Sequence, residues 1–364
     1  VIDTAFWENK KVLITGHTGF KGAWLSLWLS RLGAKVFGCA LPPIDGSSLY
    51  SVANVAALIE RDEKIDIRNL EALQQFFQQV QPEIVFHLAA QSLVRESYRD
   101  PVVTYDTNVL GTQHLLESVR YTESVKACVV VTTDKCYEND DSGVPFSEDM
   151  PLGGYDPYSS SKACAEILTA SYRRSYFNAD KGGSRELGLA TARAGNVIGG
   201  GDTAMDRLVP DVIQNLIAGE DISLRYPESV RPWQYVLDVL AGYLLLSQKL
   251  YSEPLSYSEA WNFGPSVVGE RSVLNIVDGL CKHWNSHSQW RLSSADKPHE
   301  AEILRLDSTK SLVRLEWKSG CFDMNEVLKQ IIHWHKAFIN KEDMRHESNL
   351  QLDIYEAAMR RVEL

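Results

Sequence analysis

Tyr158 and Lys162 stand four residues apart in Tyr158-Ser159-Ser160-Ser161-Lys162, a spacing that puts a phenol and an ammonium on one face of a helix. A phenol so placed can take the proton of a sugar or alcohol hydroxyl. Upstream, Thr132-Thr133-Asp134-Lys135 gathers two hydroxyls, a carboxyl and a second ammonium. Near the start, Gly16-His17-Thr18-Gly19-Phe20-Lys21-Gly22 spaces its glycines as loops that cradle a dinucleotide pyrophosphate do. A dinucleotide takes hydride, Tyr158 takes a proton, and Asp134 adds an acid able to protonate a leaving hydroxyl. The set points to oxidation followed by elimination on one bound substrate.

A free tyrosine has a pKa of about 10 and is a poor base at neutral pH. An ammonium at 4 Å contributes about 1–4 kcal/mol, and a nicotinamide ring adds positive charge, so Tyr158 is expected below its ordinary value. Taken alone, the pair is an ordinary surface contact; the glycine loop upstream makes it a catalytic candidate. Thr133 follows the apolar run Val129-Val130-Val131, at the strand end where parallel sheets bind ligands, and its hydroxyl can hold the oxygen that Tyr158 deprotonates. To act as an acid, Asp134 needs burial. Lys135 reads either as a base or as a fixed cation beside an enolate. An exposed Asp-Lys turn is the bland alternative.

These residues need a frame to hold them. Lys11-Val12-Leu13-Ile14-Thr15 reads as a strand ending at Gly16, Ala23 to Leu32 as an apolar helix stopped by Gly33, and Ala34 to Ala40 as a second strand. That order is a βαβ unit. Strands at Ile84–Leu88 and Ala127–Val131 alternate with helical patterns at Leu70–Gln79 and Asn108–Arg120. The expectation is an α/β Rossmann fold, a doubly wound parallel sheet with a smaller C-terminal substrate-binding lobe. Its division is residues 1–198 for the dinucleotide, with 230–264 returning to that domain through a helix from Tyr235 to Leu250 and a strand at Ala260–Phe263. Residues 199–229 and 265–339 form the substrate lobe, read as short elements and loops up to about Arg225 and again from about Pro265 to Leu304, and 340–364 a charged, helix-prone tail.

Two features of the cofactor loop are unusual. His17 occupies a position where a small residue is common, which predicts a loose or shifted cofactor. The second strand ends Cys39-Ala40-Leu41-Pro42-Pro43 without the acid that holds an adenosine ribose, so NAD and NADP both remain open here. Asp45 is either a substitute for that acid or the start of a turn. Asp66-Ile67 is either an adenine contact or a plain strand end.

Composition narrows the class. The chain has 364 residues, 44% hydrophobic and 23% charged, as an ordinary globular protein does. No apolar run approaches the ~20 residues that span a bilayer, and Val1 to Trp7 does not read as a secretory signal. Six scattered cysteines without a Cys-x-x-Cys pair predict no metal site, no disulfide framework and a cytoplasmic location. A net charge of −11 argues against nucleic acid or membrane as a partner, while a few pocket arginines can still hold an anionic small molecule.

The motifs resemble the extended short-chain dehydrogenase/reductase family and, within it, the nucleotide-sugar 4,6-dehydratases. The resemblance extends through His87-Leu88-Ala89-Ala90, Asn108-Val109-Leu110-Gly111-Thr112, Arg193-Ala194-Gly195-Asn196-Val197, Arg231-Pro232-Trp233-Gln234-Tyr235-Val236 and Asn262-Phe263-Gly264. It implies Thr133, Tyr158 and Lys162 as the catalytic triad, with Asp134 as the acid for dehydration. Lys135 stands where most such enzymes carry a glutamate base. The cofactor implied is NAD, held by Gly16, His17, Thr18, Gly19, Phe20, Gly22, Asp66, Ile67, Leu88, Ala89, Ala90, Tyr158 and Lys162. Asn196 and Arg231 are implied to hold the sugar diphosphate, although a structural Arg–Asn network fits them too. The Gly16–Gly22 loop and Thr133–Tyr137 look most like those of members acting on CDP-glucose. A homodimer, joined by the helix after Asn108 and the Tyr158 helix, and a place in deoxysugar synthesis for surface polysaccharide such as O-antigen come with the resemblance.

Three rivals stand beside this reading. A 4-epimerase needs the same loop, Tyr158 and Lys162 but no acid at Asp134. A dehydratase for dTDP-glucose or GDP-mannose needs the same chemistry with another base. A dinucleotide-sensing regulator needs the glycines but not Thr133, Tyr158 and Lys162 together.

Overall fold

The computed structural model describes residues 2–43, 46–178, 183, 185–265, 271–293 and 304–361. Six strands, β1 (Lys11–Thr15), β2 (Lys35–Ala40), β3 (Arg61–Lys64), β4 (Ile84–His87), β5 (Ala127–Val131) and β6 (Gly188–Ala194), join a seventh at Ala260–Phe263. All pair in parallel, in the spatial order Ala260–Phe263, β6, β5, β4, β1, β2, β3. This is the doubly wound Rossmann arrangement. The order reverses between β1 and β4, where a ligand crevice opens outside the carboxyl ends of the strands.

Both faces of the sheet are covered, which is why its inner strands β1, β4 and β5 are mostly apolar, whereas the edge strand β3 reads Arg-Asp-Glu-Lys. Val12, Ile14, Ile84, Phe86, Val129 and Val131 point to one face, packed with Trp24, Trp28, Leu240 and Leu244 from the helices Phe20–Arg31 and Val236–Ser252. Leu13, Val85, Cys128 and Val130 point to the other, against Phe77, Leu115 and Tyr172 from Leu70–Val80, Gly111–Arg120 and Pro157–Ser175. The predicted strands, crossovers and returning elements are all present. One expectation needs correction: the stretches up to Arg225 and from Pro265 to Leu304, expected as short elements and loops, contain among their described residues two regular helices, Leu208–Ala218 and Val273–Trp284, each closed by a left-handed residue, Gly219 and Asn285. Their apolar stripes (Val209, Val212, Ile213, Leu216; Ile276, Val277, Leu280) are buried, a helical period that the surrounding loops mask.

The C-terminal segment forms a helix, Met344–Arg361, with Leu352 and Tyr355 fully buried. Its Tyr355 hydroxyl donates to Asp238 Oδ1 at 2.7 Å, and Tyr235 donates to Gln351 Oε1 at 3.1 Å. Trp28 Nε1 donates to Glu356 Oε1 at 2.9 Å, and Arg345 Nε donates to Ala53 O at 3.0 Å. No helix among the described residues is long and apolar enough to cross a membrane, and these residues contain no cluster of metal ligands. All six cysteines are free.

Burial pushes the Asp238 carboxyl up to about 6, and the Tyr355 hydrogen bond opposes that rise. A carboxyl raised in the folded state loses stabilising power as pH climbs through its folded value. Tyr355→Phe withdraws the donor that supports the ionised form. Urea unfolding of this variant is expected to show a loss of about 1–3 kcal/mol at pH 7.5 and a smaller loss at pH 5, where Asp238 is protonated.

Candidate active site

A cleft of about 880 Å³ lies over the strand ends. Gly16, Thr18, Gly19, Phe20, Gly22, Asp66, Ile67, Leu88, Ala89, Ala90, Thr133, Asp134, Lys135, Tyr158, Asn196 and Arg231 all line it. The sequence therefore placed these candidates around one space, although they come from widely separated segments. His17 and Lys162 lie outside its lining.

The glycine loop is shaped by backbone pressed on backbone. Gly16 has φ +76°, and a Cβ on it would fall 2.6 Å from Ala89 N; a Cβ on Gly22 would fall 2.1 Å from Gly16 O. Gly19 caps the helix Phe20–Arg31 without any side-chain hydrogen bond. The first-turn N–H groups therefore keep their positive end for an anion at the cleft. Beneath the loop, Thr15 Oγ1 accepts from Ala89 N at 3.2 Å and lies 2.7 Å from His87 Nδ1. Thr112 donates to Asn108 O at 2.7 Å and lies 3.1 Å from His87 Nε2. Thr15 thus donates to Nδ1 and Nε2–H donates to Thr112, a chain that needs a neutral imidazole. Burial supplies it, lowering His87 to about 3. A cradle of this shape fits a dinucleotide.

His17 is turned away from the cleft, which corrects its expected contact with the cofactor through its side chain. The imidazole is fully buried, with Nε2 2.6 Å from Asp62 Oδ1 and its edge toward Tyr50. It fits there because β2 carries Gly38; a Cβ at that position would lie 2.4 Å from His17 Cγ. Desolvation lowers the His17 pKa, with Asp62 opposing the fall. Asp66 and Ile67 reach the far end of the cleft, Asp66 held ionised by its hydrogen bonds from Arg68. Asp45 lies outside the described residues.

Thr133, Asp134 and Tyr158 meet at the other end. Thr133 donates to Asp134 Oδ1 at 3.0 Å and accepts from Lys135 N at 3.3 Å. Asp134 is 2% exposed, and desolvation raises its pKa against the pull of Lys135, Thr133 and Arg231. Its Oδ2 is buried without a hydrogen-bond partner, close above Gly195, where a Cβ would sit 3.2 Å away. Asp134 lines the cleft, and a buried carboxyl oxygen without a partner is a candidate proton donor or acceptor. Asn196 and Arg231 approach through paired segments: Asn196 N donates to Pro232 O at 3.2 Å, and Asn196–Ile198 pairs with Trp233–Tyr235. Arg231 is buried and acts on Asp134.

The expected drop in the Tyr158 pKa is not what the chain produces. Burial pushes the phenol up to about 12, although Thr133 and Arg207 pull it down. Lys162 Nζ donates to Val131 O at 3.1 Å, and burial lowers its own pKa to about 8. Its ammonium is held on the backbone at the end of β5, and Lys162 is not among the residues that line the cleft. Two further cations were missed. Lys21, quoted inside the glycine loop, lines the cleft 3.5 Å from the Tyr243 hydroxyl; burial, helped by Lys162 and Arg207, lowers it to about 7. The signal was a lysine where the motif otherwise carries uncharged residues. Arg207, on a turn without a motif, also lines the cleft, donating to Asp202 Oδ2 at 3.0 Å and Ser92 Oγ at 2.8 Å.

A Rossmann sheet with this glycine cradle and a Thr-Asp/Tyr-x-x-x-Lys constellation defines a dinucleotide-dependent enzyme of the short-chain dehydrogenase type. The model of the GDP-mannose 4,6 dehydratase family matches residues 13–331, and the chain belongs to that family. It is 45% identical to CDP-glucose 4,6-dehydratase of Salmonella typhimurium over 361 residues, 99% of this chain and 100% of that one. It is 26% identical to dTDP-glucose 4,6-dehydratase of Haemophilus influenzae, over 89% of this chain and 97% of the other. Among solved structures, dTDP-glucose 4,6-dehydratase of Streptomyces venezuelae, with NAD and TYD bound, superposes with a TM-score of 0.77 at 24% identity, covering 92% of this chain and 99% of that one. UDP-glucose 4-epimerase of Thermotoga maritima, with UDP-glucose, gives 0.77 at 24%, covering 90% and 99%.

The two glycines of the helix start should respond differently to a methyl group. A Cβ on Gly19 would meet only Gly16 O, at 3.4 Å. Gly19→Ala is therefore expected within about 1 kcal/mol of the parent in denaturant unfolding, whereas Gly22→Ala loses about 3 kcal/mol or more, or does not fold.

Proposed function

We propose that this chain is an NAD-dependent enzyme converting CDP-glucose to CDP-4-dehydro-6-deoxyglucose and water. The observation that carries the reaction type is Asp134: a buried carboxyl with a raised pKa and one unpartnered oxygen beside Thr133 and Tyr158. An epimerase has no step for such an acid. The choice of CDP-glucose rests on the 45% identity to the Salmonella enzyme over the whole chain.

In this reading residues 1–198 with 230–264 carry the cofactor, and 199–229 with 265–339 cover the sugar nucleotide. The Gly16–Gly22 loop, the uncapped helix end, Leu88–Ala90 and Asp66–Ile67 hold NAD, with Lys162 beneath Tyr158. When bound, NAD supplies a two-electron acceptor at C4 and returns the same electrons at C6, so no external reductant is consumed. Thr133 orients the 4-hydroxyl and Tyr158 takes its proton. A phenol raised by burial is a weak base, so the positive ring of a bound cofactor would contribute to its activation. Once C4 is a ketone, the C5 proton is acidic and the 6-hydroxyl is β to it. Asp134, whose pKa is raised by burial, gives a proton to that hydroxyl, which leaves as water. Lys135, on the same turn, is assigned to the C5 side, as the base or as the cation beside the enolate oxygen. Asn196 and Arg231 hold the diphosphate, Arg231 as a fixed cation.

We also propose a homodimer. The helices around Val94–Arg120 and the Tyr158 helix expose Val102 (68%), Ile167 (60%) and Leu110 (45%), with Tyr98 and Tyr105 beside them. An apolar face of this kind on two neighbouring helices suits burial against a second copy. We place the reaction in the cytoplasm and its product in deoxysugar synthesis for surface polysaccharide.

Purified protein incubated with CDP-glucose and NAD in heavy water, without reductant, is expected to give a product lighter by one water, with one solvent deuterium at C5. An isomer of unchanged mass would mean epimerisation; turnover of dTDP- or GDP-sugars alone would keep the chemistry and replace the substrate. Asp134→Asn is expected to lower kcat by about 10²–10⁴-fold, with C4 oxidation, read as transient reduced cofactor at 340 nm, retained. Val102→Glu combined with Ile167→Glu should sediment as a monomer; an unshifted dimer would remove this face as the interface.

A further inference from the structure

Glu166 has no part in the chemistry above, yet its carboxylate is 3% exposed and lies one helical turn beyond Lys162. Its Oε1 accepts from the Thr132 hydroxyl at the end of β5. Its Oε2 accepts from Thr191 Oγ1 at 2.6 Å and Arg193 Nη2 at 2.9 Å, both on β6. Arg193 Nη1 donates onward to Tyr137 OH at 2.7 Å and Glu148 O at 3.2 Å, and Tyr137 OH donates to Asn262 Oδ1 at 2.7 Å. One carboxylate thus joins β5, β6, the Tyr158 helix and, through Tyr137, the turn that carries Asp134 and Lys135.

Each end of this network stops beside a reacting group. Thr132 precedes Thr133 and Asp134. Arg193 is two residues before Gly195, on which Asp134 Oδ2 rests, and three before Asn196. A buried ion pair is weak as a source of stability, because apolar side chains of similar volume hold a core as well. What it adds is a fixed register among the elements it joins and a fixed charge. The groups around Lys162 make that charge matter. The Cys136 thiol is raised well above its ordinary value and His87 is neutral, while Lys21 repels Lys162. Glu166 is the carboxylate that favours the ammonium, and it is itself faced by Arg193, Arg173 and Cys136.

We propose that Glu166 is the positioning residue of the reaction: it sets Thr133 and Asp134 against Gly195 and Asn196, and it keeps the Lys162 ammonium charged. The turnover half of this proposal rests on the dehydratase reading; the electrostatic half does not. Burial lowers Lys162 and Glu166 opposes the fall, so removing the carboxylate charge makes Lys162 give up its proton at lower pH.

The experiment is Glu166→Gln in the full chain with two readouts. Lysine labelled with carbon-13 at Cε is titrated by NMR, the Lys162 signal being the one absent from Lys162→Arg. Its midpoint is expected to fall by about one pH unit, roughly tenfold in proton affinity. With CDP-glucose, kcat is expected to fall roughly tenfold or more, KM to change by less than about threefold, and the alkaline limb of the pH profile to move to lower pH. Thr132→Val, which cuts the tie but keeps the charge, should lower kcat without moving the Lys162 midpoint. If Glu166→Gln does not fold, Glu166→Asp, which withdraws the charge by one methylene, should move the midpoint in the same direction by less. An unmoved midpoint and a superimposable alkaline limb, even with reduced thermal stability, would overturn the proposal. Should wild type leave CDP-glucose untouched, the dehydratase reading fails while the lysine titration still decides the charge on Lys162.

Discussion

The cleft depends on the contact between the Gly16–Gly22 loop and the end of β4. Backbone meets backbone there, with no room for a methyl group at Gly16 or Gly22. The Thr15–His87–Thr112 hydrogen-bond chain holds the two strand ends level. Interiors packed this densely do not deform by degrees, so the first turn of the helix Phe20–Arg31 is fixed relative to Leu88–Ala90. Everything a dinucleotide would touch on that side follows from this one approach.

On the other side the controlling quantity is charge in a dry place. Lys21, Lys135, Lys162, Arg207 and Arg231 act on Asp134, Tyr158 or one another. Burial drives the acids up and the lysines Lys21 and Lys162 down, so the site holds several groups nearer neutrality than their exposed counterparts. Such compression suits a sequence of proton transfers that starts with a base, needs an acid and ends where it began.

Much of this frame was legible in the sequence because its signals are local. A strand, a glycine loop and a helix are contiguous in Lys11–Arg31, and Ala260–Phe263 has three apolar residues in four adjacent positions. The candidates that gathered around the cleft did so because parallel strands deliver their ends to one edge. What escaped depends on distant partners. His17 faces inward because of Gly38 on another strand. The pKa of Tyr158 is set by burial that no spacing reports. Lys21 stood in plain view, but only the fold brings Lys162 and Arg207 near it, and Arg207 belongs to no motif. The helices Leu208–Ala218 and Val273–Trp284 were hidden by the irregular chain on either side of them. The segment 344–361 reads as charged and helix-prone, while its attachment runs through polar groups, Gln351, Tyr355 and Glu356, that periodicity does not mark as buried.

That last helix also has a consequence for the order in which the protein can be made. Trp28 and the carbonyl of Ala53 are synthesised 328 and 292 residues before their partners Glu356 and Arg345. Domains generally begin to fold from the N-terminal side during synthesis. Here the helix Phe20–Arg31 waits with its Trp28 face uncovered until Met344–Arg361 has been made. A unit built early is therefore finished late, and a chain stalled short of Met344–Arg361 would carry an exposed apolar surface for a chaperone to find.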